Sequence, residues 1–287
     1  MGKWYRPYLG SFNIELNHVQ EHVFEKIQSN LQTFSDPQPL LSIVVIAYNE
    51  DRNLVGCLWS LSEQRCSFPM EIIVVNNHST DRTEEILKRV GVTYYNELNQ
   101  GPGFARQCGL DRANGQYVLC VDGDTLYPPY YAQTHLKALS MTGVSATFSL
   151  WSFLPKPGQS SLSLYGYEAL RDLYLNLQNM KRPELCVRGM VFSFRTELGR
   201  NVGFRTDIKR GEDGSMALGL KKFGKIVFIR SRKARAITGQ NTLGADGSLM
   251  NSFFIRLRKA FSSVIGLFSK KDQYKDEDSN LIDPKNK

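Results

Sequence analysis

Two aspartates with one glycine between them, Asp122 and Asp124 in "CVDGDTLYPP", close an apolar run. Like charges this near each other repel unless a cation or a proton intervenes. Residues i and i+2 of an extended segment share a face, so the spacing aims both carboxylates one way. Carboxylate oxygens are hard ligands, suited to Mg²⁺ or Mn²⁺ with substrate phosphates completing the shell. Asp and Gly also build ordinary turns, and the motif alone leaves metal site and turn equally open. A second acidic pair, Glu212 and Asp213 in "RGEDGSMALGLKKFG", heads a helical pattern. Acids there complement the helix dipole whatever else they do.

The elements that must position these groups are legible. "LLSIVVIA" from residue 41, "MEIIVV" and "QYVLCVD" are continuous β-branched runs, the pattern of strands buried on both faces. Between them lie "EDRNLVGCLWSLSEQ", "STDRTEEILKRVG" and the glycine-rich start of "GPGFARQCGLDRANG", all with helical spacing. Asp81 and Glu84 form a capping-box-like pair, and Gly91 stops that helix. The alternation predicts an α/β sandwich with a mostly parallel central sheet. Ligands in such sheets sit at the carboxyl ends of the strands, where "AYNE", "NNHS" and "DGD" all fall. Phe12 to Phe34 recur at helical spacing, and "SDPQP" then reads as a linker. Farther on, the patterns predict a helix over 161–178, a strand over 185–195, a helix from Glu212 and the strand "KIVFI". An amphipathic helix is expected over 249–268, with a disordered polar tail beyond it.

The chain has 287 residues, of which 41% are hydrophobic, and a formal charge of +8. That charge suits an anionic partner, although no nucleic-acid recognition motif accompanies it. Five cysteines without CxxC spacing and four scattered histidines make no zinc pattern, and such cysteine usage suits a reduced cytosol. No apolar run approaches the ~20 residues that span a bilayer. The expectation is a cytoplasmic protein. "KKFGKIVFIRSRKAR" holds seven Lys/Arg and no acid, so a peripheral contact with the inner membrane face through it and the 249–268 helix stands beside simple capping of the core.

The ordered set "IAYNE", "VVNNHSTDRT", "GPGFARQCGL", "VDGDTLYPP" and "GEDGSMAL" resembles the family 2 glycosyltransferases of GT-A fold, over about residues 41 to 230. The resemblance implies transfer of a sugar from a nucleotide sugar, a UDP-sugar being the expected donor, with inversion. It implies a divalent metal, Mn²⁺ or Mg²⁺, on the diphosphate, with Asp122 toward the ribose and Asp124 on the metal. It puts Tyr48, Asn49 and Glu50 against base and ribose, and Asn77 where many members have an Asp that reads uracil. It gives Arg106 a nucleotide or phosphate contact, against the plain reading of a solvated helix residue. Asp213 becomes the general base that deprotonates the acceptor hydroxyl, with Glu212 as neighbour or substitute. A glycan or polyprenyl-linked acceptor is expected. Gln-x-x-Arg-Trp, the mark of processive members, is absent, which favours single addition.

The expected organisation is a helical extension over 1–40, the catalytic domain over 41–240, the amphipathic helix over 241–268 and a tail over 269–287. Within the domain, 41–125 is the nucleotide half and 126–240 the acceptor half. A dinucleotide enzyme would need GxGxxG after its first strand, and a P-loop enzyme GxxxxGK[ST]; neither is present. A sugar nucleotidyltransferase and a non-catalytic nucleotide-sugar-binding protein remain alternatives. Histidines His78 and His135 and the aromatics Trp59, Trp151, Tyr127, Tyr130 and Tyr131 are further candidates for ligation or sugar stacking, each with a core or surface role as the plainer reading.

Overall fold

The structure, a computed structural model, describes residues 4–34, 36–155, 160–239 and 280–282. The apolar runs become a seven-stranded sheet. Its strands are β1 (Leu41–Ala47), β2 (Met70–Asn77), β3 (Thr93–Glu97), β4 (Tyr117–Asp122), β6 (Val144–Ser149), β8 (Phe192–Arg195) and β9 (Lys225–Ile229), in the order β3-β2-β1-β4-β8-β6-β9. The pairs among β3, β2, β1 and β4 are parallel, while β8 runs antiparallel to both its neighbours. A small second sheet joins β5 (Thr125–Leu126), β10 (Ala236–Thr238) and β7 (Trp151–Phe153) in the order β5-β10-β7. β1 is buried almost throughout, as a β-branched run between two parallel neighbours should be.

The helices are α1 (Glu21–Leu31), α2 (Leu54–Ser62), α3 (Thr83–Val90), α4 (Pro102–Arg112), α5 (Tyr131–Leu139), α6 (Ser161–Asn179), α7 (Thr196–Val202) and α8 (Glu212–Leu220). Three expectations are corrected. The first concerns the N-terminal helix. Only residues 21–31 are α-helical; the chain before them is bent, with Asn13 at φ 60. Phe12 and Leu16 are nonetheless buried, so they share the core-facing pattern without sharing one helix. Phe12 lies so close to α2 that a Cβ on Gly56 would sit 2.8 Å from Phe12 Cβ. The segment thus packs into the core as part of the same body.

The second correction is the start of α3. Asp81 caps from one step further out, accepting from the Thr83 and Asp51 amides, while Glu84 turns to Lys88 and Tyr94. Gly91 does end the helix, in the left-handed conformation that glycine takes without strain. The third is the strand expected over 185–195, which begins only at Phe192, because Pro183–Cys186 and Gly189–Val191 close 3-10 turns, the second with the Val191 amide on Arg188 O. The 249–268 helix lies outside the described residues, as does all of the tail except 280–282. Leu281 bridges to Ile208. No described helix is long and apolar enough to cross a membrane.

Candidate active site

Register builds the site. Ile46 on β1 lies opposite Asp122 on β4, and Ala47 opposite Asn76 on β2. The carboxyl ends of three parallel strands therefore stop level, and the loops carrying Tyr48 to Glu50, Asn77 to Asp81 and Asp122 to Asp124 meet above them. The first loop is held to the second by side chains. Asn49, at φ 54, donates its amide to Ser79 Oγ and accepts the Thr80 amide on Oδ1 at 2.8 Å. The Glu50 amide donates to Thr83 Oγ1, and its carboxyl accepts from Asn53. A non-glycine residue at positive φ is costly unless fixed from several sides, as Asn49 is. Tyr48 stays 46% exposed at the mouth of the crevice.

Extended geometry stops at Asp122, and Gly123 and Asp124 form a turn whose Gly123 amide donates to Ile46 O at 3.0 Å. Strand alternation therefore does not set the direction of the two carboxyls; a turn separates them. They still sense each other. Burial, and then the charge of Asp122, push the Asp124 carboxyl up to about 6. Burial, and then the Asp124 charge, push Glu50 up to about 8. Crowded carboxyls that resist ionisation are a demand for positive charge.

Part of that demand is met within the chain. Arg106, read as a phosphate contact or a solvated helix residue, is buried inside the molecule. Its Nη2 donates to Asp122 Oδ1 at 2.7 Å and its Nε to Glu212 Oε1 at 3.3 Å. Burial opposes the guanidinium charge, but the two carboxylates outweigh it and hold it firmly protonated. Gly189 makes room for it: a Cβ there would lie 2.0 Å from Arg106 Nη2. Glu212, the neighbour or substitute base, is thus buried in an ion pair. Burial and then the Asp213 charge raise its carboxyl, against the pull of Arg106. Asp213 is half-buried, its Oδ2 accepting the Gly189 amide at 2.8 Å and its Oδ1 the Gly214 amide at 2.7 Å.

Asn77, expected as a base-reading residue, has its side chain committed within the chain. It is buried, donates to Asn99 O at 2.7 Å and accepts the Gly101 amide at 2.8 Å, so it shapes the loop into α4. Tyr127 and Tyr131 are fully buried and cannot stack a sugar. Tyr127 was missed as a positioning residue: its hydroxyl accepts the Asp122 amide at 2.9 Å and donates to Met190 O at 3.1 Å. Thr238 of the small sheet was missed too; its hydroxyl donates to Asp124 O at 3.3 Å. No sequence signal marks the Tyr127–Met190 or Thr238–Asp124 contact, since each joins segments far apart in the chain. Trp59 and Trp151 belong to the core, and exposed His78 bonds Leu98 O.

His135 is wholly buried on Thr147 and Ser193, and burial lowers its imidazole to about 3. The unfolded chain therefore takes up a proton below the ordinary value of 6.5 that the native ring refuses. This contribution to stability is lost as pH falls from that value, by about 2 kcal/mol near pH 5. Glu50 and Asp124, raised, push the other way over the same range. Urea unfolding at about pH 7 and pH 5 should show wild type losing ~2 kcal/mol relative to His135→Leu, in which the imidazole is gone and the other groups remain. Parallel pH profiles for the two proteins would contradict the neutral, buried imidazole.

Among the described residues no three His, Cys, Asp or Glu side chains form a metal cage. A two-carboxylate site remains, and it fits a hard divalent ion that takes its other ligands from substrate phosphate and water. The raised Asp124 carboxyl fits the same demand.

A sequence profile described as glycosyl transferase family 2 matches residues 42–193. The chain is 27% identical over 149 residues to glycosyltransferase AglE of Haloferax volcanii, a match covering 49% of this chain and 46% of that protein. It is 38% identical over 104 residues to a dolichyl-phosphate beta-glucosyltransferase of Trichomonas vaginalis, covering 32% of each. The match to these relatives therefore spans less than half of their length. Among solved structures, the mannosyltransferase PcManGT of Pyrobaculum calidifontis, in complex with GDP-Man and Mn²⁺, superposes with a TM-score of 0.56 at 21% identity, covering 92% of this chain and 76% of that one. TarS 1-349 of S. aureus, in complex with UDP, gives 0.54 at 20% identity, covering 69% and 60%. At such identity the likeness establishes the fold.

Proposed function

The chain belongs to glycosyl transferase family 2, and from that premise we propose that it moves a sugar from a nucleotide-sugar donor to an acceptor hydroxyl with inversion. One observation carries the reading. Arg106 joins the Asp122 end of the nucleotide crevice to the Glu212 end of α8, so donor-side and acceptor-side acids form one charge-linked site.

Asp122 and Asp124 would hold Mn²⁺ or Mg²⁺ with the donor diphosphate. Bound there, the ion supplies Lewis acidity that stabilises charge on the departing diphosphate. Tyr48, with its exposed ring, and the locked loop of Asn49 and Glu50 line the place for base and ribose. Asp213 takes the proton from the acceptor hydroxyl. The acceptor oxygen then bonds to the anomeric carbon from the face opposite the leaving group, and the broken C–O bond leaves its electron pair on the diphosphate. Asp213 suits this role because two backbone amides fix its carboxylate while each oxygen keeps a second acceptor position. Glu212 acts at one remove, by orienting Arg106. The solved structures named above, in complex with UDP and with GDP-Man, support a UDP- or GDP-sugar as donor, with UDP-sugars the first to test. A glycan or lipid-linked acceptor, and a cytoplasmic site, remain part of this proposal.

The test is a calorimetric titration of UDP-glucose, UDP-N-acetylglucosamine and GDP-mannose into the protein, with and without Mn²⁺. Binding of one of them should require the ion. Asp124→Ala should lose that ion dependence and weaken donor binding by about tenfold or more, because a direct metal ligand is gone. Metal titration and donor affinity unchanged in Asp124→Ala would remove the residue from the site.

A further inference from the structure

α6 is apolar on both faces and charged only on the inner one. Its charged residues face inward: Glu168 accepts from Ser152 and the Phe153 amide, Arg171 reaches the Trp151 carbonyl, and Asp172 pairs with Arg171 and Arg235. Leu164, Tyr167 and Leu175 pack inward beside them, and a second row of large apolar side chains faces outward. Leu162, Tyr165, Leu170, Leu173, Leu177 and Met180 are each between 51 and 80% exposed, and the outward face carries no charge. A surface helix normally shows the opposite arrangement. An exposed apolar stripe along a helix of about 28 Å marks a contact surface.

The stripe has a basic border. Arg230 reaches Asn176 on α6, Arg235 reaches Asp172, and Arg232 and Lys233 stand exposed between them. Residues 221–239 hold no acid. The acids next to the helix are already neutralised, Glu168 and Asp172 by Arg235, and Glu184 by Arg182 and Lys221. The border is therefore net cationic. This decides among occupants. A second copy would bring a like-charged border. The apolar stretch 249–268 of this chain carries Arg256, Arg258 and Lys259 and no acid, so it too would meet like charge. An anionic lipid surface offers apolar depth for the leucines and phosphate for the arginines.

We propose that α6 lies flat on an anionic membrane surface, its leucine face in the acyl boundary and Arg230, Arg232 and Lys233 on the headgroups. The contact is interfacial, since no described helix can span. It does not depend on the sugar-transfer reading.

Co-sedimentation of the full chain with phosphatidylglycerol–phosphatidylcholine vesicles tests it, with pure phosphatidylcholine vesicles alongside. Wild type should bind the anionic vesicles, less tightly at high salt, and bind the neutral ones weakly. Leu173→Asp/Leu177→Asp should cut binding about tenfold or more while keeping the wild-type melting temperature, because both positions are exposed. Arg232→Glu/Lys233→Glu should weaken binding to the anionic vesicles alone. No wild-type binding to the anionic vesicles, or equal binding by the leucine variant, overturns the proposal. So does a concentration-dependent dimer in light scattering that the leucine variant abolishes, for the stripe would then bind a second copy.

Discussion

Asp213→Asn should slow sugar transfer by about 10²–10⁴-fold while leaving nucleotide-sugar affinity near wild type. At the head of α8 the Asp213 carboxylate is part-exposed, whereas Glu212 is buried in the Arg106 pair. An amide keeps its shape but cannot take a proton. The substitution has a small structural cost that must be separated from the chemistry. Asp213 accepts two backbone amides, from Gly189 and Gly214, on its two oxygens. Asparagine offers one carbonyl oxygen and turns an NH₂ donor toward the other, so about 1 kcal/mol of stability should go with it. The pattern sought is a fall in kcat far larger than the shift in melting temperature, with the donor titration unchanged. Glu212→Gln is the control for a substitute base. Because Glu212 is paired to Arg106, that variant should lose stability and disturb donor binding as well as rate. An active Asp213→Asn enzyme would move the base elsewhere.

Arg106→Met should be the most damaging single change to the fold of the site. The guanidinium lies between Asp122 and Glu212, and its loss strands the buried Glu212 carboxylate. Removing one partner of a buried pair costs about 3–5 kcal/mol. Lysine would not rescue it, since one ammonium cannot present the two separate N–H groups that bridge the carboxylates. Donor binding should fall too, because Asp122 loses the contact that fixes its Oδ1. Arg106→Met with Glu212→Gln should recover part of the stability, as the stranded charge is removed with its partner. Arg106→Met melting like wild type, or no recovery in the double variant, would contradict the bridge.

What the sequence by itself determined is what short-range pattern can carry. Continuous β-branched runs fixed β1, β2 and β4, and helical spacing fixed the helices between them. With those strands parallel, the motifs at their ends had to converge, so Tyr48 to Glu50, Asp122 and Asp124 were legible as one crevice before any coordinates. The roles of Asp213 and the metal rest on family resemblance, because an acid at a helix start has a sufficient local reason to be there.

Tertiary structure decided everything that depends on which distant groups meet. Arg106 and Glu212 are 106 residues apart in the chain, and no spacing rule links them. Their pairing buries Arg106 in a bridge and makes Glu212, expected as neighbour or substitute of the base, its anchor. Asn77 was spent on the loop into α4, Thr238 was brought to Asp124 by the small sheet, and Tyr127 ties Asp122 to the distant Met190. Phe12 and Leu16 kept a helical spacing without a helix, because burial selects apolar residues whatever the backbone between them does. α6 carried the same ambiguity the other way. Its leucines lie on both sides, and the inward partners of Glu168, Arg171 and Asp172 go with Leu164 and Leu175 facing in while Leu173 and Leu177 face out. A buried charge must be paired, and the location of its partner settles which side of a helix faces in.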